Sequence, residues 1–218
     1  MAVDKHINFF QLQKAAEKPG CPLCRIVSDR ADRYIDNMLF EHVSDPGFRA
    51  LHRDAGGFCA YHSRNLVSFR DGLAVAIMSR DILEDRISSF KERKFWQPKG
   101  QCPVCAERDR IEEEYLSFLA ESGGNSKEEI ELRTVFTASD GLCAPHYAGL
   151  VFTPKAKLRK IPEWLRDFHE NKFKDLFNRT SNFIELSAYG RQEEFASLSE
   201  KDQLVWKEIA TVLRGTSE

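Results

Sequence analysis

All six cysteines of this 218-residue chain belong to one pattern that occurs twice. The first copy is Cys21-Pro22-Leu23-Cys24 followed by Gly57-Phe58-Cys59-Ala60-Tyr61-His62. The second is Cys102-Pro103-Val104-Cys105 followed by Gly141-Leu142-Cys143-Ala144-Pro145-His146. Each copy offers three thiols and one imidazole, the ligand set of a closed tetrahedral metal site. A fold built on this chain must bring those half-sites together, so they constrain the architecture more than any other feature.

The spacing has a physical reason. In CxxC the two sulfurs converge on one ion while backbone N–H groups offset their charge, and the start of a helix further favours thiolate. In CxxH on a helix, positions i and i+3 share a face, so Cys59 with His62, and Cys143 with His146, can chelate together. Gly57 and Gly141 allow a sharp turn beside a crowded ion. The candidate ligands are therefore Cys21, Cys24, Cys59, His62, Cys102, Cys105, Cys143 and His146. Pairing within each copy would close insertions of 34 and 37 residues. Pairing crossed between copies stays open. Two zinc ions suit this donor set best, since zinc takes mixed S and N ligands tetrahedrally; an iron–sulfur cluster is the alternative.

Competing chemistries explain less. The two CPxC motifs look like dithiol sites of glutaredoxin type, but that chemistry wants a βαβ setting and leaves the CxxH motifs unused. Arg25 and Ala106 stand where a c-type haem motif needs histidine. Four protein ligands leave no open position for a catalytic zinc. No phosphate loop, nucleophile elbow or paired-carboxylate motif stands out, so no catalytic or other cofactor-binding residue is assigned.

The rest of the chain reads as helical. Apolar residues recur at helical spacing after Pro22, after Leu73, after Pro103 and after Pro162, and no alternating strand pattern appears. Phe48 to Asp54 and Cys59 to Phe69 read as shorter helices. Ser126-Lys127-Glu128-Glu129 is a capping box for a helix to about Ala138, and Ser199 to Asp202 is a weaker one. Asp45-Pro46-Gly47, Ser122-Gly123-Gly124-Asn125 and Gly190 read as breaks. The expected fold is all-α: two pseudo-repeated helical modules, each pinned by a CxxC/CxxH metal site, plus C-terminal helices. Residues 1–98 form repeat 1, 99–158 repeat 2, and 159–218 a C-terminal segment packing on the repeats.

Composition narrows the function classes. Hydrophobic residues at 42% and charged residues at 30% describe a globular domain, and a net charge of −2 predicts no strong attraction to nucleic acid or anionic membrane. The longest central apolar run, Leu73 to Met78, is too short to span a bilayer, and the first ten residues do not read as a signal peptide. The chain therefore reads as cytoplasmic, where patterned thiols are more often ligands than disulfides. Lys155, Lys157, Arg159 and Lys160 make a basic run that reads as a solvated linker, with phosphate or nucleic-acid contact the lesser reading. Glu112-Glu113-Glu114 reads as a solvated helix face. Trp164 and Trp206 read as core. His6, His42, His52 and His169 read as surface or helix-face histidines, not ligands.

The duplicated CPxC and G-[FL]-C-x-x-H motifs make the chain resemble an uncharacterised prokaryotic domain family. The resemblance extends to Phe183-Ile184-Glu185-Leu186-Ser187-Ala188-Tyr189-Gly190-Arg191 and to a last helix with Trp206, Ile209, Leu213 and Gly215. Ala188 replaces the family's usual acidic residue there, and Gly190 separates Tyr189 from Arg191. The resemblance implies this architecture and no activity. The function expected is a non-enzymatic, zinc-stabilised binding or adaptor protein with a protein partner; the alternative is a redox or metal sensor with labile Cys/His sites.

Overall fold

The computed structural model describes residues 6–152 and 160–215. It is 75% helical, and no strand occurs among the described residues. The all-α expectation therefore holds. No helix among the described residues is long and apolar enough to cross a membrane. Lys155, Lys157 and Arg159 of the basic run lie outside the described residues.

The helices are α1 (Ile7–Ala16), α2 (Pro22–Asn37), α3 (Pro46–Asp54), α4 (Ala60–Ser68), α5 (Gly72–Glu92), α6 (Pro103–Glu121), α7 (Lys127–Thr137), α8 (Ala144–Phe152), α9 (Glu163–Leu186), α10 (Gln192–Ala196), α11 (Glu200–Gln203) and α12 (Val205–Arg214). The chain divides into two compact units: residues 1–26 with 112–218, and residues 27–111. The divisions fall inside α2 and α6 and cut across the repeats delimited from the sequence.

In the first unit, α1 packs on α7, and α9 meets α7, α10, α11 and α12. Its largest fully buried side chains include Phe9, Leu12, Tyr115, Leu119, Leu132 and Phe136. Tyr115 donates its hydroxyl to Gln11 Oε1, so the phenol is satisfied as it is buried. The capping box forms as expected: Ser126 Oγ accepts from Glu129 N at 3.2 Å, and Glu129 Oε2 accepts from Ser126 N at 2.9 Å. Helix α1 has a less usual cap, in which His6 Nδ1 accepts from Asn8 N at 3.2 Å.

The second unit has a core of Ala31, Ile35, Met38, Leu39, Val43, Leu66, Ala74, Met78, Cys102 and Val104. Asp45 caps α3 and Asp71 caps α5, each accepting a backbone N–H three residues on. Helix α3 is tied to α5 by Arg49–Asp81 and Arg53–Asp85. Hydrogen bonds from the two guanidiniums hold both carboxyls below the usual carboxylate range, against a smaller desolvation effect.

Several sequence expectations change in detail. α2 runs on into a π-helical turn, Met38–His42. α9 stops at Leu186, ahead of Gly190, and the expected last helix is split into α11 and α12. Trp206, expected in the core, is 53% exposed, whereas Trp164 is half-buried and donates Nε1–H to Ser122 O at 3.1 Å. Glu112 is half-buried, not a fully solvated face residue.

Candidate metal centres

Each half-site sits at a helix start, as the sequence predicts. Cys21 immediately precedes α2 and Cys102 immediately precedes α6, each with proline at the first helical position. Cys59 is the N-cap of α4, and Cys143 immediately precedes α8.

The eight residues come together in two clusters, and the pairing is crossed. Cys21 and Cys24 meet Cys143 and His146; Cys59 and His62 meet Cys102 and Cys105. In each cluster the ligand atoms all lie within 4.8 Å of one another. Each unit therefore contains one complete CxxC/CxxH set, drawn from different copies of the motif.

In the first cluster His146 Nδ1 lies 3.4 Å from Cys21 Sγ, 3.4 Å from Cys24 Sγ and 3.2 Å from Cys143 Sγ. Cys24 and Cys143 sulfurs are 3.6 Å apart. In the second, His62 Nδ1 lies 3.3 Å from Cys59 Sγ, 3.5 Å from Cys102 Sγ and 3.4 Å from Cys105 Sγ. Cys105 and Cys59 sulfurs are 3.8 Å apart. Both imidazoles thus present the same nitrogen to three sulfurs. An ion about 2.3 Å from sulfur and about 2.05 Å from nitrogen, at the centre of a tetrahedron, sets S···S at about 3.8 Å and S···N at about 3.6 Å. The donor set and the spacing both fit one ion per cluster.

Backbone and side-chain contacts hold these loops. Gly20 N donates to Asp140 Oδ2 at 2.7 Å, joining the chain just before Cys21 to the chain just before Cys143. Arg25 donates to Ala15 O at 2.6 Å and Pro19 O at 2.5 Å, fixing the approach to the first CxxC. Gly141 has φ +64°, and a Cβ there would lie 2.7 Å from Phe168 Cε1. The turn before Cys143 requires glycine on both counts.

In the first cluster Cys24, Cys143 and His146 differ in their hold on a proton. Hydrogen bonds from Cys143 and Cys21 pull the Cys24 thiol down, and contacts with Cys21 and Cys24 push Cys143 up. Burial alone would lower His146, but Cys21 and Cys24 hold it up at about 10. In the second cluster, burial and then Cys102 push Cys105 up to about 12, while burial and Arg108 lower His62. An ion displaces such protons, because only thiolate and neutral imidazole ligate. Beyond the ligands, His146 Nε2 lies 3.8 Å from Glu112 Oε1.

His6, His42, His52 and His169 join neither cluster. Two of them are not surface residues: His52 and His169 are buried. His169 is a supporting residue that the sequence reading missed. Its Nδ1–H donates to Leu165 O at 2.8 Å, and Nε2 accepts from Leu142 N at 2.9 Å, one residue before Cys143. Its ring stacks on Tyr147 with centroids 4.6 Å apart. Its spacing of four from Leu165 and seven from Leu176 placed it on the apolar face of α9 and was the available signal.

Burial lowers the His169 pKa from 6.5 to about 4. The folded state resists a proton that the unfolded chain accepts, so this stabilisation is complete above pH 6.5 and is lost as pH falls towards 4. The shift corresponds to about 3 kcal/mol. The stability gap between the native chain and His169→Gln is expected to narrow by about 1 kcal/mol between pH 7 and pH 5.5, a window that stays clear of the acid that strips thiolate-bound metal, measured by urea unfolding of the metal-loaded proteins. A gap independent of pH would contradict a buried neutral imidazole.

Over 100 residues the chain is 32% identical to an "uncharacterized 23.9 kDa protein in xynA 3' region" of Caldicellulosiruptor sp. (strain Rt8B.4). That alignment covers 44% of this chain and 49% of the relative, so the chain spans about half of the relative's length. No solved structure matches the chain. Residues 5–99 match a family model and hold the half-sites Cys21/Cys24 and Cys59/His62, which the crossed geometry assigns to different centres. Over that segment the chain is similar to the family described as a family of unknown function (DUF6062).

Proposed function

We propose that this chain is a non-enzymatic binding or adaptor protein whose fold is held by two zinc ions. The ligand-atom spacing carries this reading: at both centres three sulfurs and one imidazole nitrogen stand at the separations of a single tetrahedral ion. Four protein ligands fill the coordination sphere, which suits a structural site. An iron–sulfur cluster distributes its ligands over several irons and needs wider spacing than this.

The binding half of the proposal rests on α5. Leu83, Ile87 and Phe90 are 61%, 51% and 75% exposed, at positions i, i+4 and i+7 of that helix. An apolar stripe that the fold leaves in water is the kind of surface a partner protein covers.

Metal analysis and a visible spectrum of protein purified without oxygen test the reading. Two zinc ions per chain and no visible colour are expected, with Leu83→Glu/Ile87→Glu retaining both ions while losing a partner that co-purifies with the native chain. A brown, iron-containing protein would overturn the zinc assignment. Undiminished partner binding by the double variant would overturn the binding surface.

A further inference from the structure

The two centres are chemically matched but differ in access. At the first, all four ligands are buried: Cys21, Cys24, Cys143 and His146 are 6%, 8%, 2% and 8% exposed. The backbone at Gly215, just past α12, comes close over the same sulfurs. A Cβ at Gly215 would lie 3.1 Å from Cys24 Sγ and 3.3 Å from Cys143 Sγ. At the second centre Cys102 and His62 are buried, but Cys59 and Cys105 are partly exposed.

Those two accessible sulfurs come from different half-sites and are 3.8 Å apart. The sulfurs of Cys24 and Cys143 are just as close, at 3.6 Å. Proximity therefore does not distinguish the centres; solvent access does. Susceptibility of a cysteine to oxidation follows its thiolate character and its exposure, and zinc holds its sulfur ligands as thiolates.

We propose that the Cys59–His62–Cys102–Cys105 centre is a thiol-oxidation site. A hydroperoxide converts Cys59 and Cys105 into a disulfide and releases that ion, while the other centre stays loaded. This rests on the zinc reading above and adds a regulated step to it. One thiolate sulfur attacks the peroxide, the O–O bond breaks, and a sulfenic acid forms with departure of alkoxide, or of hydroxide from hydrogen peroxide. The second thiolate attacks that sulfur, the S–S bond forms, and hydroxide leaves. The two sulfurs together lose two electrons, which the peroxide gains. His62 and Cys102 remain as the ion's only ligands, and it departs into water. The disulfide bridges the start of α4 and the first turn of α6, and a dithiol reductant with added zinc reverses the change.

The test uses the full-length, two-zinc protein. Hydrogen peroxide is added in the presence of a zinc-responsive dye, remaining thiols are alkylated at intervals, and peptides are mapped by mass spectrometry. The ion of the Cys59–His62–Cys102–Cys105 centre is expected to leave about tenfold faster than the ion of the buried centre, with a Cys59–Cys105 cross-linked peptide appearing as it does and Cys21, Cys24 and Cys143 still free to alkylate afterwards. Simultaneous loss of both ions, or a first disulfide at Cys102–Cys105 or in the other centre, overturns the inference and leaves the zinc reading standing. A protein that carries no metal at this centre overturns both.

Discussion

Cys24→Ser combined with Cys143→Ser is expected to leave one metal ion on the chain and to unfold the unit made of residues 1–26 and 112–218. Both residues belong to the same crossed centre. The buried site would keep one sulfur and one imidazole, too few to hold the ion. A structural zinc contributes an apparent free energy of about 10–16 kcal/mol, while a whole domain is stable by only about 5–15 kcal/mol. Losing the site therefore removes about as much free energy as holds the unit together. The single variants should already show most of the effect, since the ligands act as one set and their losses do not add. The helical circular dichroism of the variant should fall, and Cys59, His62, Cys102 and Cys105 should still hold their ion.

Gly141→Ala is expected to cost about 2–5 kcal/mol without removing any ligand. The left-handed conformation at φ +64° costs an L-residue about 1–2 kcal/mol. The new methyl would stand 2.7 Å from Phe168 Cε1 and 3.2 Å from His169 Nε2. Phe168 has little room to yield, because it packs edge-on to Phe136 at 6.1 Å and under Lys172 at 5.6 Å. Relieving such overpacking costs about 1–3 kcal/mol. The shift also strains the Leu142 N–H bond to His169, so metal affinity at the first centre should fall in a chelator competition. Gly190→Ala is the control: its φ is +89°, but nothing lies within 4 Å of the new methyl. It should show only the conformational part, measured by urea unfolding. Equal losses at the two glycines would mean that the contact with Phe168 and His169 carries no weight.

Much of this arrangement is legible in the residues alone. The eight Cys and His positions, the helix starts beneath them and the capping box at Ser126 all follow from local chemistry. The pairing does not. Any CxxC can serve any CxxH, so ligand chemistry cannot choose. Chain entropy hardly chooses either. The crossed arrangement closes separations of 119 and 40 residues, against 35 (59 − 24) and 38 (143 − 105) within the copies. The logarithmic cost of loop length makes that difference only about 1 kcal/mol. The choice is made by packing that spacing does not encode, such as the Gly20–Asp140 hydrogen bond and the burial of Cys102 and Val104 in the core of residues 27–111.

Other misses have similar causes. Helix α1 is capped by a histidine instead of a Ser, Thr, Asp or Asn, so its start carries no recognisable signal. His169 reads as an ordinary solvated helix histidine, and only the tertiary fold supplies Leu165 O and Leu142 N as its partners. Trp206 has apolar neighbours in sequence, but α12 turns it outward, towards Lys207, whose Nζ lies 5.2 Å from the ring centroid.

The crossed pairing is tested most directly by native mass spectrometry of two double variants compared side by side. Cys24→Ser/Cys143→Ser removes ligands from one crossed centre, and Cys24→Ser/Cys59→Ser removes one from each. The first is predicted to retain one ion per chain and the second none. The reverse result, an ion retained by Cys24→Ser/Cys59→Ser and none by Cys24→Ser/Cys143→Ser, would contradict the crossed assignment and place each ion within one copy of the motif.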